Sequence, residues 1–293
     1  YYGNINFLKA GIVSAECIAT VSPTYAMEIQ TPSGGFGLDS LLRQRSRDLV
    51  GILNGIATEI WNPSKDPYLP AHYSVEDIAG KAICKESLQR ELGLPIEPEV
   101  PLIGMVTRLV EQKGISEVFG RTYGCMRKIL ETIHVQVAVL GSGDAWAEEA
   151  IVNFSAQYPK FKGVIGYNER LAHLIEAGSD FFLMPSRYEP CGLNQMYSLV
   201  YGTLPIVHRT GGLADTVVNY NQNLGDGTGF MFDDLTPQAV YDTVGWAMWA
   251  WYNKPEHIKT MRERAMKQDF SWNRSAEEYI RLYQHALAIR KAR

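Results

Sequence analysis

Between about residue 100 and residue 220 the sequence repeats one arrangement: a short apolar, largely β-branched run, then a longer stretch with helical spacing. The spacing predicts strands over 100–106, 135–140, 163–165, 180–184 and 204–208. It predicts helices over 116–130, 144–158, 168–177 and 192–201, with another opening over 214–219. Runs that are apolar throughout, not at alternate positions, belong to strands buried on both faces. Separated by helices, they imply an α/β fold with a parallel sheet covered on both sides. Such a sheet takes its ligand in the crevice beyond the carboxyl ends of its strands. The loops that start at Thr107, Gly141, Gly166, Pro185 and Arg209 are therefore expected along one rim.

The flanks read differently. After Phe232 the pattern turns helical, with Thr236-Pro237 as an N-cap followed by proline at the first helical position. Trp246, Trp249, Trp251 and Tyr252 read as core packing. A last helix, from about Arg274, places Tyr279, Tyr283, Ala286 and Ile289 at helical spacing and is expected to dock on another surface. Before residue 62 only strands over 18–21 and 50–53 and a helix over 23–29 are legible, around a mobile-looking Pro32–Gly37 loop. That is too little for a domain, so residues 1–61 read as the end of one. The polar, proline-rich stretch 62–70 reads as a linker or hinge.

Composition narrows the function. The 293 residues carry 28 Lys+Arg against 32 Asp+Glu, a formal charge of −4, which argues against a nucleic-acid partner. Hydrophobic residues make up 46%, enough for a core and against disorder. No uncharged apolar run reaches the ~18 residues of a membrane span, and the longest candidate, 240–251, contains Asp242. The cysteines (Cys17, Cys84, Cys125, Cys191) lie far apart, which points to a reduced, cytoplasmic setting with neither zinc nor disulfides. The sequence opens at Tyr1 without Met, inside structured-looking text, so a fragment is expected.

Candidate chemistry clusters on the rim. Arg108 and Lys113 follow a buried strand; two cations there suit a diphosphate, although solvated surface charges fit the spacing equally well. Glu189, in Glu189-Pro190-Cys191-Gly192-Leu193-Asn194, is an acceptor for sugar hydroxyls or a simple helix cap. Gly192 permits close backbone approach, and the amides of Leu193 and Asn194 would be first-turn donors to a phosphate. Cys191 reads as a small buried residue or an oxidation-prone thiol, not a nucleophile. Gly211 and Gly212 repeat the strand-to-helix turn one strand later, a weak signal alone. Gly141-Ser142-Gly143 fails as a dinucleotide fingerprint because Trp146 occupies the third glycine position. Tyr167 either stacks on a base or packs its loop. No D-x-D occurs, so no metal or other cofactor is expected; His173 and His208 read as structural.

Together these segments resemble bacterial glycogen synthases and plant starch synthases, retaining glucosyltransferases built from two Rossmann-like domains (GT-B). The stretches that carry the resemblance are Thr24 to Ile29, Gly51 to Ile56, Thr107 to Gly114, Ser186 to Gln195 and Tyr201 to Thr216. The resemblance implies ADP-glucose as donor and an α-1,4-glucan such as glycogen as acceptor. It implies that Arg108 and Lys113 grip the diphosphate, Glu189 contacts the transferred glucose, and Cys191 to Asn194 form the phosphate-binding helix start. It makes Tyr167 the adenine-stacking ring and Asn54 a lining residue of the sugar pocket. Gly141 and Gly143 are counted with the nucleotide loops. Related retaining enzymes often carry a second glutamate where this chain has Tyr197, and the family's N-terminal Lys-x-Gly-Gly-Leu loop is absent. The division expected is therefore the end of an acceptor-side domain (1–61), a nucleotide-sugar domain (62–271), and a terminal helix (272–293) packing back on the former. Such a piece is expected to be inactive alone; the competing expectation is a non-catalytic ADP- or ADP-sugar-binding module.

Overall fold

The computed structural model describes residues 5–292; Tyr1 lies outside them. The chain begins with α1 Phe7–Ser14, β1 Ile18–Thr20, α2 Pro23–Glu28, α3 Asp39–Gln44 and β2 Leu49–Gly51, then α4 Ala79–Leu92. The central part follows as β3 Leu102–Leu109, α5 Ile115–Phe119, α6 Met126–Thr132, β4 Gln136–Gly143, α7 Ala145–Gln157, β5 Phe161–Ile165 and α8 Glu169–Gly178. It continues with β6 Phe181–Met184, α9 Asn194–Val200, β7 Leu204–His208, α10 Gly211–Thr216 and β8 Phe230–Phe232. Helices α11 Pro237–Asn253, α12 Pro255–Met266 and α13 Trp272–Ala292 close it.

Strands β3 to β8 form one parallel sheet in the order β5-β4-β3-β6-β7-β8. Leu102, Ile103 and Met105 on β3 and Val137 to Val139 on β4 are buried at successive positions, as helices on both faces require. Winding runs outward from β3 through β4 to β5, then returns to β6 on the other side. The sheet's switch point therefore lies between β3 and β6, and the loops after those strands flank the crevice where such folds bind ligands.

The predicted strands match within a few residues, and the helices over 144–158 and 168–177 match α7 and α8. Asn168 caps α8 by accepting the Leu171 amide at 3.0 Å, and Thr236 caps α11 by accepting that of Ala239 at 3.1 Å. The single helix expected over 116–130 is instead two. Gly120 closes α5, and a Cβ on Gly124 would sit 2.4 Å from the Gly120 nitrogen, so the chain folds back where only glycines fit. β8, only three residues long, is a sixth strand that the sequence pattern does not disclose. The aromatic stripe is half core: Trp246 packs on Phe230 and Trp251 on Phe181, while Trp249 and Tyr252 are 42% and 47% exposed.

The stretch expected to be a linker is anchored. Asp66 is fully buried, accepting from the Tyr201 hydroxyl, from His173 Nδ1 at 2.7 Å and from the Tyr68 amide at 2.9 Å. Burial works against its charge, but those hydrogen bonds hold the carboxyl below its ordinary value. Next to it, Trp61 is sandwiched between the rings of His173 and Tyr197, with centroids 3.7 Å away on each side. The earlier segment forms its own parallel pair, β1 with β2. Helix α13 touches it through Ser275 Oγ, which donates to the Leu53 carbonyl at 2.6 Å, and through Arg290 paired with Glu16.

Two buried ionisable groups beneath α9 set a pH dependence. Burial pushes Glu176 up to about 8, although its carboxyl accepts from Ser198 Oγ at 2.6 Å. Burial also pushes Lys81 down to about 7; its ammonium donates to Ala177 O, Tyr201 O and Thr203 Oγ1. Between the ordinary glutamate value of 4.5 and about 8, the folded chain keeps a proton that the unfolded chain releases, so stability falls as pH rises. Lys81 has the opposite sign from about 7 to 10.5, and the fall should stop near pH 7. Urea unfolding is expected to lose about 1.4 kcal/mol of stability per pH unit between about pH 5 and 7. Glu176→Gln should flatten that slope; an unchanged slope would assign it to another group.

Candidate functional site

Two loops meet at the switch point. The first leaves β3 after Leu109, makes one 3-10 turn over Glu111–Lys113 and ends at Gly114. Gly114 has φ +67°, and a Cβ there would lie 1.9 Å from the Pro185 carbonyl oxygen. Only glycine lets the Lys113 turn sit directly on the second loop, which leaves β6 at Pro185. The Arg187 amide donates to Gln112 O at 2.8 Å, and Gln112 Nε2 donates to Tyr188 O at 3.2 Å, stitching the loops together.

This arrangement brings the Lys113 ammonium onto the Glu189 carboxylate, which also accepts from Ser186 Oγ at 2.9 Å. Glu189 is only 7% exposed, so its charge is held by these two donors. A cavity of about 160 Å³ opens over the pair, lined by Thr107, Arg108, Lys113, Glu189 and the turn from Gly192 to Asn194. Asn194 Nδ2 donates to the Val106 carbonyl at 2.6 Å and pins the turn to β3. Among the described residues the amides of Leu193 and Asn194 have no protein acceptor. Arg108 is exposed, and among the described residues its side chain donates only to neutral Gln112, at 3.0 Å. With Lys113 balanced by Glu189, the cavity keeps one net positive charge. A second cavity of about 240 Å³ shares Val106, Thr107 and Arg108 with the first and continues over Gly141, Gly166 and Tyr167. Tyr167 is 88% exposed there.

Of the sequence-derived site residues outside the glycine pairs, Arg108, Lys113, Glu189, Gly192, Leu193 and Asn194 line the first cavity, and Tyr167 lines the second beside Gly141. Others need correction. The Gly211 amide does not face the cavity; it donates to Glu28 Oε1 at 2.8 Å, and the Gly212 amide donates to Glu189 O at 2.9 Å. A strand-to-helix glycine turn serves here for close packing: Cβ atoms on Gly211 and Gly212 would lie 2.0 and 1.9 Å from the carbonyls of Glu189 and Cys191. The Gly143 amide is likewise taken, by Glu148 of its own helix at 2.9 Å. Cys191 lies buried outside the cavity, and burial pushes its thiol up. Asn54 backs onto Cys191 through its backbone, and its side lines a different cleft with Asp215, Gln268 and Arg274. Sequence reasoning passed over Ser186, although Ser186-x-x-Glu189 has the spacing of a serine that reaches a glutamate three residues on.

A doubly wound sheet with a buried acid, two cations and open amides at its switch point defines an α/β domain whose crevice is suited to an anion. The sequence matches the family model for glycosyl transferases group 1 over residues 91–268, and that of the starch synthase catalytic domain over residues 1–44. Glycogen synthase of Treponema denticola is 58% identical over 98% of this chain, and that of Anaeromyxobacter dehalogenans 50% over 97%. The catalytic domain of starch synthase IV from Arabidopsis thaliana, bound to ADP and acarbose, superposes with a TM-score of 0.87 at 35% identity, covering 97% of this chain and 58% of that one. The chain belongs to the group 1 glycosyl transferases, in the family of bacterial glycogen synthases and starch synthases. It spans 58% of the length of these two curated relatives.

Proposed function

We propose that this chain supplies the donor side of an ADP-glucose:α-1,4-glucan glucosyltransferase. The observation that carries the reading is the pairing of Lys113 with Glu189 beside Arg108 and the Gly192 turn, at one end of a crevice whose other end holds Tyr167. ADP-glucose would lie with adenine on Tyr167, diphosphate on Arg108, Lys113 and the amides of Leu193 and Asn194, and glucose against Glu189. The C1–oxygen bond breaks with its electron pair leaving on ADP, and the glucosyl carbon passes through an oxocarbenium-like species. The glucan 4-hydroxyl attacks the same face and gives up its proton to the departing phosphate oxygen, so the configuration is retained. Cations and open amides stabilise the charge that develops on ADP.

In this reading residues 1–61 end an acceptor-side domain, 62–271 bind the nucleotide sugar, and the terminal helix returns to the acceptor side. The Ser275–Leu53 and Arg290–Glu16 contacts support that return. Among the described residues no helix is long and apolar enough to cross a membrane; the setting proposed for the enzyme is the cytoplasm. Calorimetry of the chain with ADP, UDP and ADP-glucose tests the reading. ADP is expected to bind more tightly than UDP, and Tyr167→Ala should weaken ADP roughly tenfold, the scale of one base–aromatic stack. Equal affinity of wild type and variant would remove Tyr167 from the base site.

A further inference from the structure

Helices α2 and α10 lock together by a reciprocal exchange of caps. Glu28, the last residue of α2, accepts from the Gly211 amide at 2.8 Å and from Thr210 Oγ1 at 2.9 Å, at the start of α10. Asp215, near the end of α10, accepts from the Thr24 amide at 2.8 Å and from Thr24 Oγ1 at 2.6 Å, at the start of α2. Each helix thus satisfies the first-turn donors of the other with a carboxylate from its own far end. The two helices belong to different sheets: α2 follows β1 of the two-stranded pair, and α10 follows β7 of the six-stranded sheet.

The α10 end of this interlock leads straight to the acid of the site. Gly212 donates to the Glu189 carbonyl, and Gly211 lies so close beneath it that no side chain fits between. Further along α10, Thr216 Oγ1 accepts from Gln195 Nε2 at 3.1 Å, and the same amide group donates to the carbonyls of Cys191 and Gly192 at 3.0 and 3.1 Å. The loop of residues 189–192 therefore rests on α10 along its length. The segment that carries α2 also reaches the loop's near end, where Phe36 meets Tyr188 edge to face with ring centroids 5.9 Å apart.

We propose that Glu28 is a positioning residue for Glu189: seating α2 on α10 fixes the Gly211–Gly212 turn, and the turn fixes the loop that aims the Glu189 carboxylate. The interlock is a closure sensor, because polar contacts between two separate sheets can be exchanged for water when the crevice opens. It rests on the donor-site reading above and deepens it, by linking the approach of the acceptor side to the geometry of the acid.

The experiment uses the complete enzyme and compares wild type, Glu28→Ala, Glu28→Gln, Asp215→Ala and the double alanine variant. Glu28→Ala is expected to lower kcat at least tenfold while Kd for ADP rises only a few-fold, because Tyr167 and Arg108 lie outside the interlock and only the Leu193 amide of the diphosphate donors lies in the loosened segment. Glu28→Gln keeps an acceptor oxygen on the same donors and should recover most of kcat. The double variant should cost little more than the worse single one, since both break one device. Hydrogen exchange of the 187–193 segment should rise in Glu28→Ala and not in Glu28→Gln. Unchanged exchange there, or a joint collapse of kcat, ADP affinity and Tm, would overturn the proposal. Absence of glucose transfer by wild type would instead overturn the donor-site reading, while exchange still decides the role of Glu28.

Discussion

Lys113→Ala in the complete enzyme is expected to lower kcat/KM by about 100- to 1,000-fold, the effect of losing one donor to a developing oxyanion, about 2.7–4 kcal/mol. Two losses combine in this variant. On the proposed donor site, the diphosphate loses a cation when negative charge grows on it, and the Glu189 carboxylate, buried in wild type, keeps only Ser186 Oγ of its two side-chain donors. The second loss predicts non-additivity: once Glu189 is changed to Gln, removing Lys113 should cost less, because no buried anion is stranded and only the loss at the diphosphate remains. Steady-state kinetics of the two single variants and the double variant check this. An unchanged kcat/KM for Lys113→Ala would take Lys113 out of the mechanism.

The largest expected effect on stability is at Asp180, far from the ligand crevice. This buried residue accepts from Lys85 Nζ at 2.7 Å and the Leu102 amide at 3.0 Å through Oδ2, and from Arg262 Nη2 at 2.6 Å through Oδ1. Burial opposes its charge, but Arg262 and Lys85 outweigh it and hold the carboxyl below its ordinary value. Asp180→Ala should destabilise the fold by about 3–5 kcal/mol, since Lys85 is left buried without its counter-charge. For a chain of this size that means a fall in Tm of roughly 6–20 °C by calorimetry. The lowered carboxyl value implies that wild type gives up this contribution as pH falls below the ordinary carboxylate range, and that the variant has less to lose there. A loss under 1 kcal/mol would mean that water reaches the two cations.

Most of the sheet was legible because its strands are apolar over runs of successive positions, a pattern that local sequence displays directly. The break at Gly120–Gly124 was harder, since glycines inside a helical pattern are tolerated until a tertiary contact forbids the helix. The site divided along the same line. Arg108, Lys113, Glu189 and the Gly192 turn follow strand ends in sequence, so the rule for parallel sheets placed them on one rim. Gly211 and Gly212 have the same local look, yet their amides are occupied by Glu28 and by the Glu189 carbonyl. A glycine turn reports that the backbone must come close to something; it does not report whether that something is a phosphate or another stretch of the chain.

The sequence by itself determined the parallel sheet, the rim on which the cations and the acid converge, and the family, because periodicity and motif order are local properties. The tertiary structure alone decided which donors meet which acceptors. Lys113 faces Glu189 across 76 residues of sequence, Glu28 meets Gly211 across 183, and Asp66 in an apparent linker is buried against His173 and Tyr201. Such pairings depend on directional hydrogen bonds between distant segments, and their geometry exists only once the apolar strands have brought those segments together.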